Sequence, residues 1–361
     1  MDKLTGFFIG CSSPEGFTAY LDELYNPHKN GFAYIIKGGA GTGKSTLMKK
    51  IYYILTDKGI PSECIFCSSD PDSLDAIIVP ELCCCVADGT NPHAIEPKYY
   101  GVCEEIINLG DYLDKAQLKE KKEQIIELSD LNKSQHKNCE KLLQGAAVAQ
   151  EEIKRIVVPL LNSDLIKEAA RKIIEKEFKN PKAQKGKQIH RFISAPTSKG
   201  LYFNKEAVLK LCSRFYILDD NFSCFAPSFL SLIGRYALNC GFDIISSPNP
   251  LSNKKDLEHI LIPQLKLGFL TSSKLNKIEL ENSKSINISK FIDREAYKKS
   301  ANKIRFYLKA RDEFIEDSLK ALKSSKISHD KLESMYMGAM DFSCIDSLAL
   351  DICDKMLKNL S

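Results

Sequence analysis

The sequence predicts an α/β chain built from two tandem P-loop NTPase-like cores. Each core is expected to be a parallel sheet flanked by helices, with a helical hairpin inserted or appended. Three observations carry this expectation. A glycine cluster between an apolar run and a helical pattern spells Gly38-Gly-Ala-Gly-Thr-Gly-Lys44-Ser45. Short blocks from the first third of the chain recur in order about 180 residues later. Each set of blocks is followed by a long stretch rich in Glu, Lys, Leu and Ile.

The glycine cluster satisfies the phosphate-loop pattern, Gly38-x-x-x-x-Gly43-Lys44-Ser45, and its context fits. Phe32–Ile36 reads as a buried strand entering the loop. Ser45–Leu55 reads as a helix leaving it, with apolar residues at 47, 48, 51, 54 and 55 on one face. Glycines let a backbone wrap phosphates with its N–H groups pointing inward, and a helix N-terminus adds positive potential. The expected nucleotide ligands are Gly38, Gly39, Ala40, Gly41, Thr42, Gly43, Lys44, Ser45 and Thr46. Lys44 would reach the β- and γ-phosphates and the Ser45 hydroxyl would ligate Mg²⁺. The metal also needs a carboxylate at the end of a neighbouring strand. Leu82–Asp88 supplies one, so Asp88 is the expected partner of Ser45 and, with Lys44, a catalytic residue. Asp70, Asp72 and Asp75 form a competing acidic loop, which also reads as an Asx-turn. No glutamate follows Asp88, so a residue that activates water is not evident. His93 is a candidate for orienting water, against a plain surface-loop reading.

Four blocks align between the halves. Phe8–Gly16 resembles Phe192–Gly200, residues 33–51 lie on 215–233, Val79–Leu82 matches Ile262–Leu265, and Asn108–Lys115 matches Asn287–Arg294. The offsets are 184, 182, 183 and 179. A duplication follows, with domains expected at 1–180 and 190–361, helical regions at 103–177 and 290–359, and a linker at 179–188. In the second copy Gly38 falls on Asp220, Gly43 on Phe225, Lys44 on Ala226, Ser45 on Pro227 and Asp88 on Thr271. Asp219 and Asp220 would repel a triphosphate, so this copy is expected to bind none. Asn253-Lys-Lys-Asp256 spells a guanine-selecting string. It aligns with the acidic loop rather than a terminal strand, and it reads as chance, leaving ATP as the expected nucleotide.

Composition bounds the rest. The 361 residues carry a net charge of +4 with dispersed basic residues, a weak case for nucleic acid. No apolar run reaches membrane-spanning length and the N-terminus lacks signal-peptide character. The thirteen cysteines read as reduced thiols of a cytoplasmic protein. Cys64 and Cys67 have CxxC spacing but sit in an expected strand, where they face opposite sides. Cys83-Cys84-Cys85 reads as core strand. The interleaved glutamates of Lys115–Lys122 favour a solvated face.

KGGAGTGKSTLMKKI, CSSDPDSLDAIIVPEL, VADGTNPHAIEPKYYG and EEIINLGDYLD together resemble the bacterial tandem P-loop ATPase-like proteins of unknown function. The resemblance covers most of the first copy and, more faintly, the second. It implies an ATP-binding protein, and the second loop departs from the family's pattern of two phosphate-binding loops. The leading expectation is an Mg-ATP-dependent ATPase or switch, with an arginine from the second copy (Arg214, Arg235 or Arg294) acting in cis. The alternatives are a small-molecule kinase of nucleotide or nucleoside type, and an ATP-sensing scaffold whose helical regions bind a protein partner.

Overall fold

Apolar runs punctuated by short turns make two six-stranded sheets in this computed structural model, which describes residues 4–29, 31–90, 95–179, 181–182, 184–252 and 256–358. The first half runs β1 (Gly6–Phe8), β2 (Gly10–Ser13), β3 (Gly16–Ala19), β4 (Phe32–Lys37), α1 (Lys44–Asp57), β5 (Glu63–Phe66), β6 (Leu74–Val79), β7 (Cys84–Asp88), β8 (Glu104–Asn108), α2 (Lys115–Glu120), α3 (Lys122–Val157) and α4 (Ser163–Glu177). The second runs β9 (Gln188–His190), β10 (Ser194–Thr197), β11 (Gly200–Phe203), α5 (Lys205–Leu211), β12 (Arg214–Asp219), α6 (Ala226–Asn239), β13 (Ile244–Pro248), β14 (Leu257–Ile262), β15 (Leu267–Ser272), β16 (Ser283–Asn287), α7 (Arg294–Met337) and α8 (Cys344–Lys358).

The strand orders are β1-β5-β6-β7-β4-β8 and β9-β13-β14-β15-β12-β16. Position by position the two orders are the same. β4 and β12, and α1 and α6, begin and end 182 residues apart. Both sheets are mixed, which corrects the all-parallel expectation: β6 and β14 run antiparallel to both neighbours. The connections explain this. Seven residues join β5 to β6 and four join β6 to β7, too few for the crossover that a parallel pair requires. The second turn is a 3-10 turn closed by a left-handed residue, Cys83 at φ 50° and Lys266 at φ 50° in the two halves. Cys83 is therefore exposed rather than core strand, while Cys84 and Cys85 are buried in β7. All thirteen cysteines are free thiols.

The helical regions differ from the expected hairpins. α3 pairs with α7 of the other half, not with α4. The contacts Gly145 to Phe314, Gln150 to Arg311 and Asn132 to Ser325 pair a rising number with a falling one, so the two helices run antiparallel. Cys139, Leu143, Ala321 and Leu322 form a buried seam along them. The last helices are then exchanged. α8 buries Ile345, Ala349, Ile352 and Met356 against Leu47, Met48 and Ile51 of α1 in the first half's core. α4 buries Ile166 and Ala170 against Phe229 and Ile233 of α6 in the second. Each fully buried Ile, Leu, Met or Phe among these is worth about 1.5–3 kcal/mol.

Reciprocal hydrogen bonds mark the relation between the halves. Asp114 N donates to Ala339 O at 2.7 Å and Asp293 N to Leu160 O at 2.9 Å. Asp341 N donates to Tyr112 O at 3.0 Å and Asn162 N to Phe291 O at 2.7 Å. Partners differ by 179 residues in every case, as a pseudo-twofold axis requires. Phe8 and Phe192 exchange both backbone bonds, at 3.1 and 2.9 Å, and lie close to that axis. One junction breaks the symmetry. Arg191, 4% exposed, forks onto Glu63 at 2.7 and 2.9 Å and reaches Glu23 at 3.0 Å. Among the described residues, no helix is long and apolar enough to cross a membrane.

Candidate functional site

The loop at 38–46 follows β4 and opens α1. Gly41 at φ 68° and Gly43 at φ 86° hold left-handed conformations that side chains resist. Thr42 is fully buried, and its Oγ1 donates to Gly39 O at 2.9 Å to tie the loop on itself. Lys44 folds back over the loop. Its Nζ donates to Gly38 O at 3.1 Å and Gly39 O at 2.8 Å, and lies 3.6 Å from Asp88 Oδ2. Ser45 opens α1 beside it and accepts from Leu74 N at 3.0 Å. Ala40 and Thr46 complete the segment.

Asp88 ends β7, the strand paired with β4, opposite Ile36. Its Oδ1 accepts from Thr90 N at 2.8 Å and Thr90 Oγ1 at 2.6 Å, which fixes the carboxyl with Oδ2 toward Lys44. The expected set, Lys44, Ser45 and Asp88, is thus brought to one end of adjacent elements. A hydroxyl and a carboxylate are hard oxygen donors of the kind Mg²⁺ takes.

The competing acidic loop is accounted for by local bonds. Asp70 accepts from Asp72 N at 3.3 Å and Ser73 Oγ at 3.0 Å, as an Asx-turn does. Asp72 pairs with Lys199 at 2.6 Å, and Asp75 is buried in β6. Lys326 of α7 sits 3.1 Å from Asp70. Burial raises the Asp70 carboxyl, but the Lys326 hydrogen bond and charge prevail and hold it below the usual range. His93 and residues 253–255 of the guanine-type string lie outside the described residues.

Sequence reasoning missed the third wall of this site. The last turns of α7 lie on the glycine loop. A Cβ on Gly39 would stand 2.8 Å from the Tyr336 ring, and one on Gly41 would strike the Glu333 carbonyl and Met337. Close approach of a helix is therefore a second reason for these glycines. His329, Asp330 and Glu333 share this segment. Some 280 residues separate them from the loop in sequence, and no local pattern connects the two. The three arginines considered for a role in cis lie elsewhere. Arg214 starts β12 and binds Glu177. Arg235 is exposed on α6. Arg294 opens α7, about 50 Å along the helix from His329.

The second loop has the same frame and different chemistry. Asp220, fully buried, turns into the loop and accepts from Phe222 N at 3.1 Å, Cys224 N at 2.9 Å, Phe225 N at 2.8 Å and Ala226 N at 2.9 Å. Burial prevails and holds its carboxyl above the usual carboxylate range, with the four donors drawing it part of the way back. Repulsion of a triphosphate was the expectation; the finding is that Asp220 itself fills the anion nest at the helix start. Asp219 accepts from Asn287 instead. Thr271, paired with Leu218 as Asp88 is with Ile36, donates to Glu258 O at 2.6 Å. The cavity beside this loop, lined by Gln150, Ser223, Glu258, Asn276 and Arg311, is ≈ 40 Å³, room for about three waters.

No family model matches this chain, and neither a curated protein nor a solved structure matches it.

Proposed function

We propose that the chain binds Mg-ATP at one site, built from Gly38–Thr46 and Asp88, and hydrolyses it slowly or under regulation. In this reading the two halves are copies of one P-loop NTPase-like unit, as the resemblance to tandem P-loop ATPase-like proteins implies. The second copy has lost its nucleotide and covers the first copy's loop. The observation that carries the reading is the placement of Lys44. Its ammonium lies on the loop's own carbonyls, 3.6 Å from a strand-end carboxylate, at the start of a helix. Phosphate oxygens are the natural ligands of a lysine in that setting.

Lys44 and the loop N–H groups would hold the phosphates, and Ser45 and Asp88 would hold Mg²⁺. The metal supplies charge neutralisation when bound. Transfer to a small-molecule acceptor is less well supported than hydrolysis, because Lys326 and local turns engage the acidic loop that an acceptor would need.

The test is a calorimetric titration of the full chain with ATP and GTP in Mg²⁺, for wild type and Lys44→Ala. One site per chain is expected, with affinity lost in the variant by about 100-fold, or 2.7 kcal/mol. Equal affinity in the two proteins would sink the nucleotide reading. A stoichiometry of two would sink the single-site reading.

A further inference from the structure

The covering helix does more than close the site. We propose that His329 of α7 orients the water that attacks the terminal phosphate and takes its proton, with Glu333 stabilising the imidazolium. This rests on the nucleotide reading above and assigns the water-activating role, for which no glutamate follows Asp88.

Four observations lead here. The α7 segment bearing His329 lies on the glycine loop through Glu333, Tyr336 and Met337. His329 Nδ1 is shielded from solvent and has no hydrogen-bond partner among the described residues. Glu333 Oε2 stands 3.9 Å from that nitrogen, one helical turn on. The residue 179 positions earlier, Gln150 of α3, takes the matching place over the second loop and is bonded at both ends. Its Nε2 donates to Phe222 O at 2.7 Å and its Oε1 accepts from Arg311 at 2.9 Å. Where the helix only seals a loop, the polar group is satisfied. Over the Lys44 loop it is left open.

The charged surroundings suit a base. The charges of Glu333, Asp330 and Lys326 on α7, and of Lys44 on the loop, act on the ring. Burial lowers the imidazole below its ordinary value, the two lysines add to this, and the two carboxylates oppose it. That balance favours the neutral ring, the form that accepts a proton. In the step, the water oxygen bonds to the γ-phosphorus and the bond to the β–γ bridging oxygen breaks. ADP leaves with that electron pair, and the water proton passes to the imidazole and then to solvent.

The experiment compares wild type, His329→Gln and His329→Ala in the full chain. Expected for the Gln variant is an affinity for a non-hydrolysable Mg-ATP analogue within about threefold of wild type, with single-turnover hydrolysis slower by about 100-fold or more. The wild-type rate should fall as pH drops through the lowered imidazole value, on the acid side of the ordinary histidine range, and that acid limb should vanish in the variants. Independently of turnover, the His329 ring resonances should move on adding the analogue and not on adding ADP. If the Ala variant melts early, the nearly isosteric Gln variant decides. Hydrolysis within threefold of wild type in His329→Gln, an unmoved ring resonance, or ATP binding by wild type with no hydrolysis would each overturn the role of His329. Unchanged ATP affinity in Lys44→Ala sinks the nucleotide reading itself, a different result in a different protein.

Discussion

The loop at 38–46 and the loop at 220–228 leave equivalent strands and open equivalent helices, and both lie under the end of a long helix from the opposite half. In the first, glycines bend the chain at positive φ and Lys44 waits on the loop carbonyls. In the second, no glycine remains and four N–H groups converge on the Asp220 carboxyl. Backbone donors at a helix start need an acceptor. A phosphate can be that acceptor, and so can a side chain of the same chain. On the nucleotide reading proposed above, a chain that supplies its own acceptor leaves a lysine, glycines and a strand-end carboxylate without a role, and the second loop carries none of them.

Removing the internal acceptor should give the largest effect on this comparison. Asp220→Ala strands four backbone donors, three of them in buried bonds, and should cost about 3 kcal/mol in chemical denaturation. Inorganic phosphate should then stabilise the variant more than wild type, because the vacated nest can take an anion. Equal phosphate responses would show that the two loops are not variants of one nest. The reverse change is Gly38→Asp, a carboxylate where the second loop carries one. It should weaken ATP binding by about 100-fold, read by calorimetry, and a variant that binds as tightly as wild type would break the analogy between Gly38 and Asp220.

Much of the frame behind these experiments is legible in the sequence. The strand and helix following one another at 32–57 repeat at 214–239 without a gap, because apolar spacing is preserved where the glycines are not. Lys44, Ser45 and Asp88 could be named because the loop and its neighbouring strand sit in local sequence patterns. The antiparallel β6 and β14 were less legible: a buried apolar strand reads the same in either direction, and only the short connections betray it. The exchange of α4 and α8 and the approach of His329 to Lys44 are long-range. Their amphipathic faces show that they pack and not against which half. Asp220 was identified as a loss, but its geometry as an internal ligand depends on a side-chain orientation that no pattern encodes.

Smaller effects sharpen the contrast between the two covering helices. Gln150→Ala should destabilise by about 1–2 kcal/mol, since it leaves Phe222 O and Arg311 short of partners, while His329→Ala should cost less than about 1 kcal/mol. Melting curves of the two variants read this directly. Comparable losses would mean that His329 is structural after all.

The smallest effect concerns the clasp between Asp70 and Lys326. The folded carboxyl is held below its unfolded value, so its contribution is present above about pH 4 and is lost as pH falls through the lowered value. Hydrogen-exchange protection at the C-terminal turns of α7, with each rate referred to the free-peptide rate at the same pH, should therefore fall at acid pH, and Lys326→Met should remove most of that loss. Exchange in Lys326→Met with the wild-type pH response would place the acid sensitivity elsewhere.

The exchanged helices have a mechanical and evolutionary consequence. Because α8 completes the core under the first sheet and α4 the core under the second, neither sheet can lose its last helix without pulling on the other through α3 and α7. The molecule should melt in one transition, and chains cut in the segment after Phe178 should recover their structure only as a pair. Such an arrangement is what two swapped subunits would become if a short tether joined them. Assembly then no longer depends on concentration, and on the function proposed above one half could give up chemistry of its own and serve as the lid of the other.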